Sequence, residues 1–351
     1  MVQPEEPFKV VEVCNVEPFH GPTKPSQSAP TLLPLTFFDL LCLRSPPVEC
    51  LYFYELTNST TFFYKTILPN LKHSLSLTLQ HFLPLAGNIT WPIDSSKPFI
   101  NYVCDDSVSF TVVESKASFK DISSHYCEAS KRHHLIPLLE TCHEKASLIS
   151  IQVTLFPNNG FCLGITTHHA AFDGKSASHF MKSWSYITCS NSNLDSSFLS
   201  LPENLTPFFD RSLIQDHDNG IGISEAYVVD YMKQGGPNNK SVKVIDFPST
   251  LKNDAIKSLF ELSPSNIQKL KQHAKNEMKM NVTNLSRLEM YSIDFGFGKP
   301  KKVDIASTDK TGAFSHCETR YNDGGVEIGL ALNKQEMETF STLFVQELES
   351  I

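Results

Sequence analysis

No CxxC spacing occurs among the nine cysteines, and their number is odd, so neither a zinc cage nor a disulfide framework is indicated. Scattered thiols of this kind point to reduced cysteines and a cytosolic (cytoplasmic) protein. No uninterrupted apolar run approaches the length of a membrane span, so no membrane association is expected. Residues 1–13 carry acids and two prolines where a secretory leader would carry a basic segment and then an apolar one. No Lys/Arg run exceeds three residues, and a formal net charge of −8 with a pI near 5.9 argues against a nucleic-acid partner. The chain also lacks an internal repeat, a glycine loop able to cradle nucleotide phosphates, and a G-x-S-x-G elbow. The last absence removes an α/β-hydrolase serine nucleophile.

What is present is an ordinary globular composition, 40% hydrophobic and 19% charged, over 351 residues, enough for two cores. A Ser/Asn-rich stretch from Cys189, continued by the Pro, Gly and Asp of residues 202–222, reads as a crossing linker. The expected division is therefore 1–188, a linker 189–222, and 223–351. Extended segments are expected at Phe8 to Val16, Leu51 to Glu55, Phe99 to Val103 and Val108 to Glu114, and a helix from Phe63 to Phe82. Phe119 to Glu144 reads as loop and broken helix. In the second half, strands are expected at Lys243 to Phe247, Ser258 to Leu262, Val303 to Thr308 and Gly325 to Leu332. Helices are expected from Asn266 to Lys279, capped by Ser263, and from Lys334 to Leu348. Strands and helices mix throughout, so the class is α/β or α+β.

The chemistry concentrates near the middle. Leu148 to Phe156 and Phe161 to Thr167 are extended runs joined by Pro157-Asn158-Asn159-Gly160, a β-hairpin pattern. His168-His169-Ala170-Ala171-Phe172-Asp173-Gly174 follows, and Phe180, Met181, Trp184 and Ile187 then repeat at helical spacing. The histidines thus sit where a strand ends and a helix begins, a place from which side chains reach a cleft. An imidazole titrates near neutrality and can take a hydroxyl proton. An aspartate four residues beyond His169 can orient the ring, fix its tautomer or brace the loop. His133-His134 has no Asp-Gly after it and serves as an internal contrast.

Three separated motifs together resemble the plant BAHD acyltransferases. His169-Ala170-Ala171-Phe172-Asp173-Gly174 is similar to the family's HxxxDG, Asp294-Phe295-Gly296-Phe297-Gly298 to its DFGWG, and Leu83-Pro84-Leu85-Ala86-Gly87 to its LxPxAG. Leu35-Thr36-Phe37-Phe38-Asp39 and Gly325-Val326-Glu327-Ile328-Gly329-Leu330 share the texture of its flavonoid and anthocyanin glucoside malonyltransferases. The DFGFG knot argues against the bacterial acetyltransferases and condensation domains that share the histidine signature. The resemblance implies a two-domain α/β fold like chloramphenicol acetyltransferase, with acyl-CoA and a hydroxyl acceptor meeting at the histidine in a channel between the halves. It implies a monomer with no bound cofactor or metal, malonyl-CoA as co-substrate and a phenolic glycoside as acceptor.

Within that frame His169 is the expected general base, with Asp173 holding the loop and the ring. His168 and Lys175 are candidates for substrate contact, Lys175 because a malonyl carboxylate needs a nearby cation. A solvated surface lysine is the alternative for Lys175. Gly174 and the DFGFG residues are expected to be structural. Phe297 replaces the family's tryptophan, keeping an aromatic ring but losing an N–H. A larger departure is a missing block of second-half strand and helix between Val282 and Arg287. The arginine that pairs with the motif's aspartate in the family has no match here. Asp173 is then expected to be a partly buried carboxylate without its cation, unless Arg211 takes the arginine's place. A binding or pairing partner with impaired catalysis is the competing expectation.

Overall fold

The computed structural model describes residues 8–21, 31–190, 200–214, 223–233, 239–245, 251, 254–277, 288–311 and 313–350. In chain order its strands are β1 (Phe8–Val16), β2 (Thr31–Pro34), β3 (Val48–Glu55), β4 (Asn88–Thr90), β5 (Phe99–Tyr102), β6 (Val108–Ser115) and β7 (Tyr126–Glu128). They continue with β8 (Lys145–Ser147), β9 (Ile149–Phe156), β10 (Gly160–Thr167), β11 (Ile256–Leu262), β12 (Lys302–Ile305), β13 (Ser315–Glu318) and β14 (Val326–Leu332). The helices that matter here are α1 (Leu68–His81), α2 (Gly174–Ser190), α3 (Pro264–Glu277) and α4 (Lys334–Ser350).

A six-stranded sheet in the order β1-β6-β9-β10-β3-β12 organises the molecule. Its centre is the β9–β10 hairpin, closed by a turn in which Asn158 takes a left-handed φ of 62°, a conformation asparagine tolerates better than most residues. Gly160 is obligatory at the turn's end, since a Cβ there would lie 2.2 Å from the Tyr54 carbonyl oxygen. Every residue of β9 and β10 is buried. Tyr52, Tyr54, Ile151, Val153, Phe161 and Leu163 belong to the core built with α1 and α2. Leu51, Phe53 and Cys162 belong to a second cluster with Phe119, Ile122 and Leu135. The polar alternation of β9 is satisfied by protein as well: Gln152 Nε2 donates to the His134 carbonyl at 2.7 Å and to Thr154 Oγ1 at 3.0 Å.

Two four-stranded sheets complete the fold, β2-β5-β4-β8 and β13-β14-β11-β7. Two strands pair outside their own half of the sequence. β12, from beyond the linker, pairs antiparallel with β3, and β7, from the first half, pairs with β11. The stretch from Phe119 to Glu144, expected as loop and broken helix, thus supplies a strand. At three residues, Tyr126–Glu128 is too short to show a period.

The expected helix from Phe63 begins as a π-helical turn, Phe63–Ile67, because Pro69 has no N–H to donate one turn back. Leu68, Leu71, Leu75 and Leu79 are buried along α1 as expected. Ser263 caps α3, accepting from the Asn266 N–H at 3.1 Å. Lys279 and Phe247, expected ends of a helix and a strand, lie outside the described residues, and Lys243 to Ile245 forms no strand. Among the described residues no helix is long and apolar enough to cross a membrane, and no group of three or more His, Cys, Asp or Glu side chains is arranged to hold a metal ion.

Candidate active site

The hairpin delivers the histidine motif into a tight turn. The His168 carbonyl, one residue past β10, accepts from the N–H groups of both Ala171 (2.9 Å) and Phe172 (3.1 Å). Ala170 and Phe172 anchor the turn by burial, and Phe172 meets Phe180 of α2 edge-on at 6.2 Å. His169 remains partly exposed. Its Nδ1 lies 3.1 Å from the Phe172 carbonyl oxygen. A carbonyl only accepts, so Nδ1 carries the proton and Nε2 is left with a free lone pair. The backbone of the motif itself sets the tautomer that a general base needs.

That geometry keeps one half of the role expected of Asp173 and not the other. Its carboxylate braces the loop by capping α2, while the ring is held by the Phe172 carbonyl. Asp173 Oδ1 accepts from the Ser176 N–H at 2.7 Å and from Ser176 Oγ, while Ser176 Oγ accepts from the Asp173 N–H at 3.0 Å. This reciprocal pairing satisfies the first turn of the helix. Asp173 is exposed and hydrogen-bonded, not a buried carboxylate in want of a cation. Arg211 does not replace the family's arginine either, since its Nη1 pairs with Asp39 Oδ2 at 2.9 Å. The tie joins the linker to the short helix Phe37–Leu41, whose capping box, Thr36 with Asp39, shares that carboxylate.

His168 has no surface open to a substrate. It is fully buried, its Nδ1 accepts from the Ala170 N–H at 3.2 Å, and its Nε2 has no hydrogen-bond partner among the described residues. Burial, with His169 alongside, pushes its pKa down to about 4. Because the folded pKa lies below the ordinary value of 6.5, protons bind the unfolded chain first, and stability falls as pH drops from 6.5 toward 4. The loss from this one group reaches about 2 kcal/mol at pH 5. His168→Asn should flatten that part of the curve, read as urea unfolding free energies at pH 7 and pH 5; an unchanged pH dependence would contradict the assignment.

Lys175 is exposed, the second residue of α2. The helix itself is held by Trp184, whose Nε1 donates to Ser74 Oγ of α1 at 3.0 Å. Trp184 also receives Phe295 of the DFGFG motif edge-on at 4.9 Å. Asp294 Oδ1 accepts from the N–H groups of Gly296 (2.8 Å) and Gly298 (3.0 Å), both glycines at left-handed φ of 87° and 99°. The knot is thus a wedge under the histidine helix, with Phe297 packed at the core's margin. Leu288 and Glu289, just beyond the undescribed residues 278–287, also dock on α2. The Leu288 carbonyl accepts from Ser178 Oγ, and Glu289 pairs with Lys182 at 2.5 Å. Sequence spacing gave no signal for this docking.

A large cleft of about 1090 Å³ opens elsewhere, on the sheet face that bears Glu49 and Thr166, and His169 is not among its lining residues. Size alone would draw attention there. The features suited to proton transfer, a partly exposed imidazole with Nδ1 tied to a carbonyl, lie at the motif and not in that cleft.

The model of the Transferase family matches residues 20–289 and 252–346. Phenolic glucoside malonyltransferase 1 of Bemisia tabaci is 37% identical over 285 residues, 81% of this chain and 60% of that protein. Phenolic glucoside malonyltransferase 1 of Arabidopsis thaliana is 30% identical over 474 aligned positions, 99% of each chain. Those positions outnumber the 351 residues here, so a block of the relative has no counterpart in this chain. The place expected for that gap, between Val282 and Arg287, lies outside the described residues. Among solved structures, vinorine synthase superposes with a TM-score of 0.64 at 16% identity, covering 94% of this chain and 96% of that one. TRI101 of F. sporotrichioides, solved with coenzyme A and T-2, gives 0.61 at 12% identity, covering 89% and 97%. The likeness establishes the expected two-domain α/β fold of the chloramphenicol acetyltransferase type.

Proposed function

Because this chain belongs to the Transferase family, the BAHD acyltransferases, we propose that it moves an acyl group, malonyl, from coenzyme A to a sugar hydroxyl of a phenolic glucoside. The observation that carries the reading is His169 with Nδ1 tied to the Phe172 carbonyl and Nε2 free. The acceptor hydroxyl gives its proton to Nε2 as its oxygen attacks the thioester carbonyl. A C–O bond forms, the C–S bond breaks, and the imidazolium returns the proton to the departing thiolate. No acyl-enzyme is needed, because holding both substrates together supplies much of the rate. The malonyl donor and glucoside acceptor follow the names of the relatives, and the Bemisia match spans only 60% of that protein's length.

Lys175 is the proposed contact for the malonyl carboxylate, reinforced by the partial positive charge at the start of α2. Incubating the 351-residue chain with malonyl-CoA or acetyl-CoA and a panel of flavonoid glucosides tests both ideas. Malonylated glucoside should form in preference to the acetylated product, and Lys175→Met should narrow the preference about two- to fivefold. An unchanged ratio in that variant removes Lys175 from the site. A folded chain that binds the glucosides yet transfers no acyl group would favour the second reading, a binding or pairing partner. The block absent from the alignment is the observation behind that alternative.

A further inference from the structure

One ridge of the histidine helix receives the second half of the chain. Gly174, Ser178 and Lys182 stand four residues apart along α2, so they share a face. Each is met by one of two consecutive residues, Leu288 and Glu289. A Cβ added to Gly174 would lie 3.3 Å from Leu288 Cδ1 and 3.6 Å from Cδ2, so both methyl groups pack on the bare backbone where α2 begins. The buried Ser178 donates its hydroxyl proton to the Leu288 carbonyl, and Lys182 pairs with Glu289. Glu289 holds a left-handed φ of 54°, unfavourable for a residue with a Cβ and maintained only where the surroundings fix the chain.

The far end of this contact is anchored in the second half. Tyr291 is buried, its hydroxyl donating to Glu327 Oε2 of β14 at 2.8 Å and accepting from the Val303 N–H of β12 at 3.2 Å. The Ile293 carbonyl accepts from the Tyr54 hydroxyl of β3 at 3.1 Å. Residues 288–293 thus tie both sheets to the start of α2, with Leu288 at the end nearest the motif. Gly174 lies two residues beyond Phe172, whose carbonyl holds His169 Nδ1. That carbonyl points where the backbone angles of Phe172 and Asp173 send it, and a shift of Gly174 turns it away from the ring.

We propose that Leu288 is a positioning residue for His169. By seating the start of α2 against the second half, it keeps the Phe172 carbonyl on Nδ1 and leaves Nε2 as the ring's proton acceptor. The inference deepens the acyl-transfer reading, since it takes His169 as the base, but its main measurement needs no turnover. It makes the protonation pattern of the base depend on docking of the two halves.

Spectra of the full chain labelled with 15N-histidine, taken at about pH 8.5 where imidazoles are largely neutral, report the tautomer of each ring. The signals that vanish in His169→Ala belong to that residue. In the unaltered chain they should show a protonated Nδ1. Leu288→Ala should move both ring nitrogens toward averaged shifts and lower kcat about tenfold, with KM for acyl-CoA changed less than about twofold. Leu288→Met keeps a methyl group against Gly174 and should restore the spectrum and kcat. Should Leu288→Ala fail to fold, Ser178→Ala removes the donor to the Leu288 carbonyl and should move the same two signals. An undisturbed tautomer in Leu288→Ala, or in Ser178→Ala where that variant alone folds, would overturn the assignment, as would an unaltered chain protonated at Nε2. Acyl transfer with an unchanged kcat in Leu288→Ala sinks the inference and spares the acyl-transfer reading. The tautomer shift in a chain that transfers no acyl group does the reverse.

Discussion

Alanine in place of His169 is expected to lower turnover by roughly two to four orders of magnitude while the protein stays folded. The ring is partly exposed and its one described hydrogen bond goes to the carbonyl of its own turn, so its removal opens no cavity in the core. What disappears is the only nitrogen of the motif able to accept a proton, since His168 is buried with its Nδ1 already engaged. Asp173 should behave differently. Asp173→Ala removes the cap of α2 and costs about 1 kcal/mol of stability, and it lowers kcat by displacing the turn. Asn at that position also caps a helix and should restore most of the activity. Single-turnover rates with malonyl-CoA and a flavonoid glucoside separate these effects. A wild-type kcat in His169→Ala removes that residue as the base, and failure of Asn to rescue would mean that the Asp173 charge does more than cap.

Arg132→Met should destabilise the protein by about 3–5 kcal/mol, a large part of the 5–15 kcal/mol that folded domains typically possess. Arg132 has no solvent exposure. Its Nη1 meets Asp304 at 2.5 Å, and its Nε and Nη2 donate to the carbonyls of Ile122 (3.2 Å) and Ser124 (2.8 Å). Asp304 comes from β12, the strand lent to the large sheet. Lys257, from β11 of the other sheet, reaches Asp304 at 3.7 Å and Asp309 at 2.7 Å. Burial opposes charge on Asp304, and Arg132, Lys257 and Lys302 overcome that opposition, holding the carboxyl below its ordinary range. Burial pushes Lys302 down to about 7. Deleting the arginine takes the nearest cation and its hydrogen bond from a buried carboxylate and leaves it to Lys257 at 3.7 Å, whereas Arg132→Met combined with Asp304→Leu removes both charges and should recover much of the loss. Urea unfolding of the two variants checks this; a single variant within about 1 kcal/mol of wild type would show that the network does not rivet the sheets. The penalty foreseen for an orphaned Asp173 therefore belongs to a different aspartate, because burial is a property of the folded neighbourhood.

The hairpin, the turn after it and the amphipathic helix were legible because each is local: asparagine and glycine mark the turn, and apolar periods mark the elements. The role of Asp173 was only half legible. Spacing brings it close to His169 along the chain, but whether its carboxylate meets a ring, a cation or a helix N-terminus depends on backbone angles that spacing does not encode. Ser176, three residues on, was the available signal, since Asp followed by Ser at that offset is a capping pattern. Nothing local marked Arg211 for Asp39, residues separated by 172 positions.

The sequence by itself determined the mixed α/β class, the strand-to-helix junction that carries His169, and the glycines that the Asp294 knot requires, because these rest on backbone propensity and short-range periodicity. Only the tertiary structure decided that β12 and β7 pair outside their own halves, and that Arg132 and Asp304 form a buried pair between the sheets. Each of these joins residues far apart in the chain, and its free energy comes from desolvation and pairing that exist only after the sheets have closed over them.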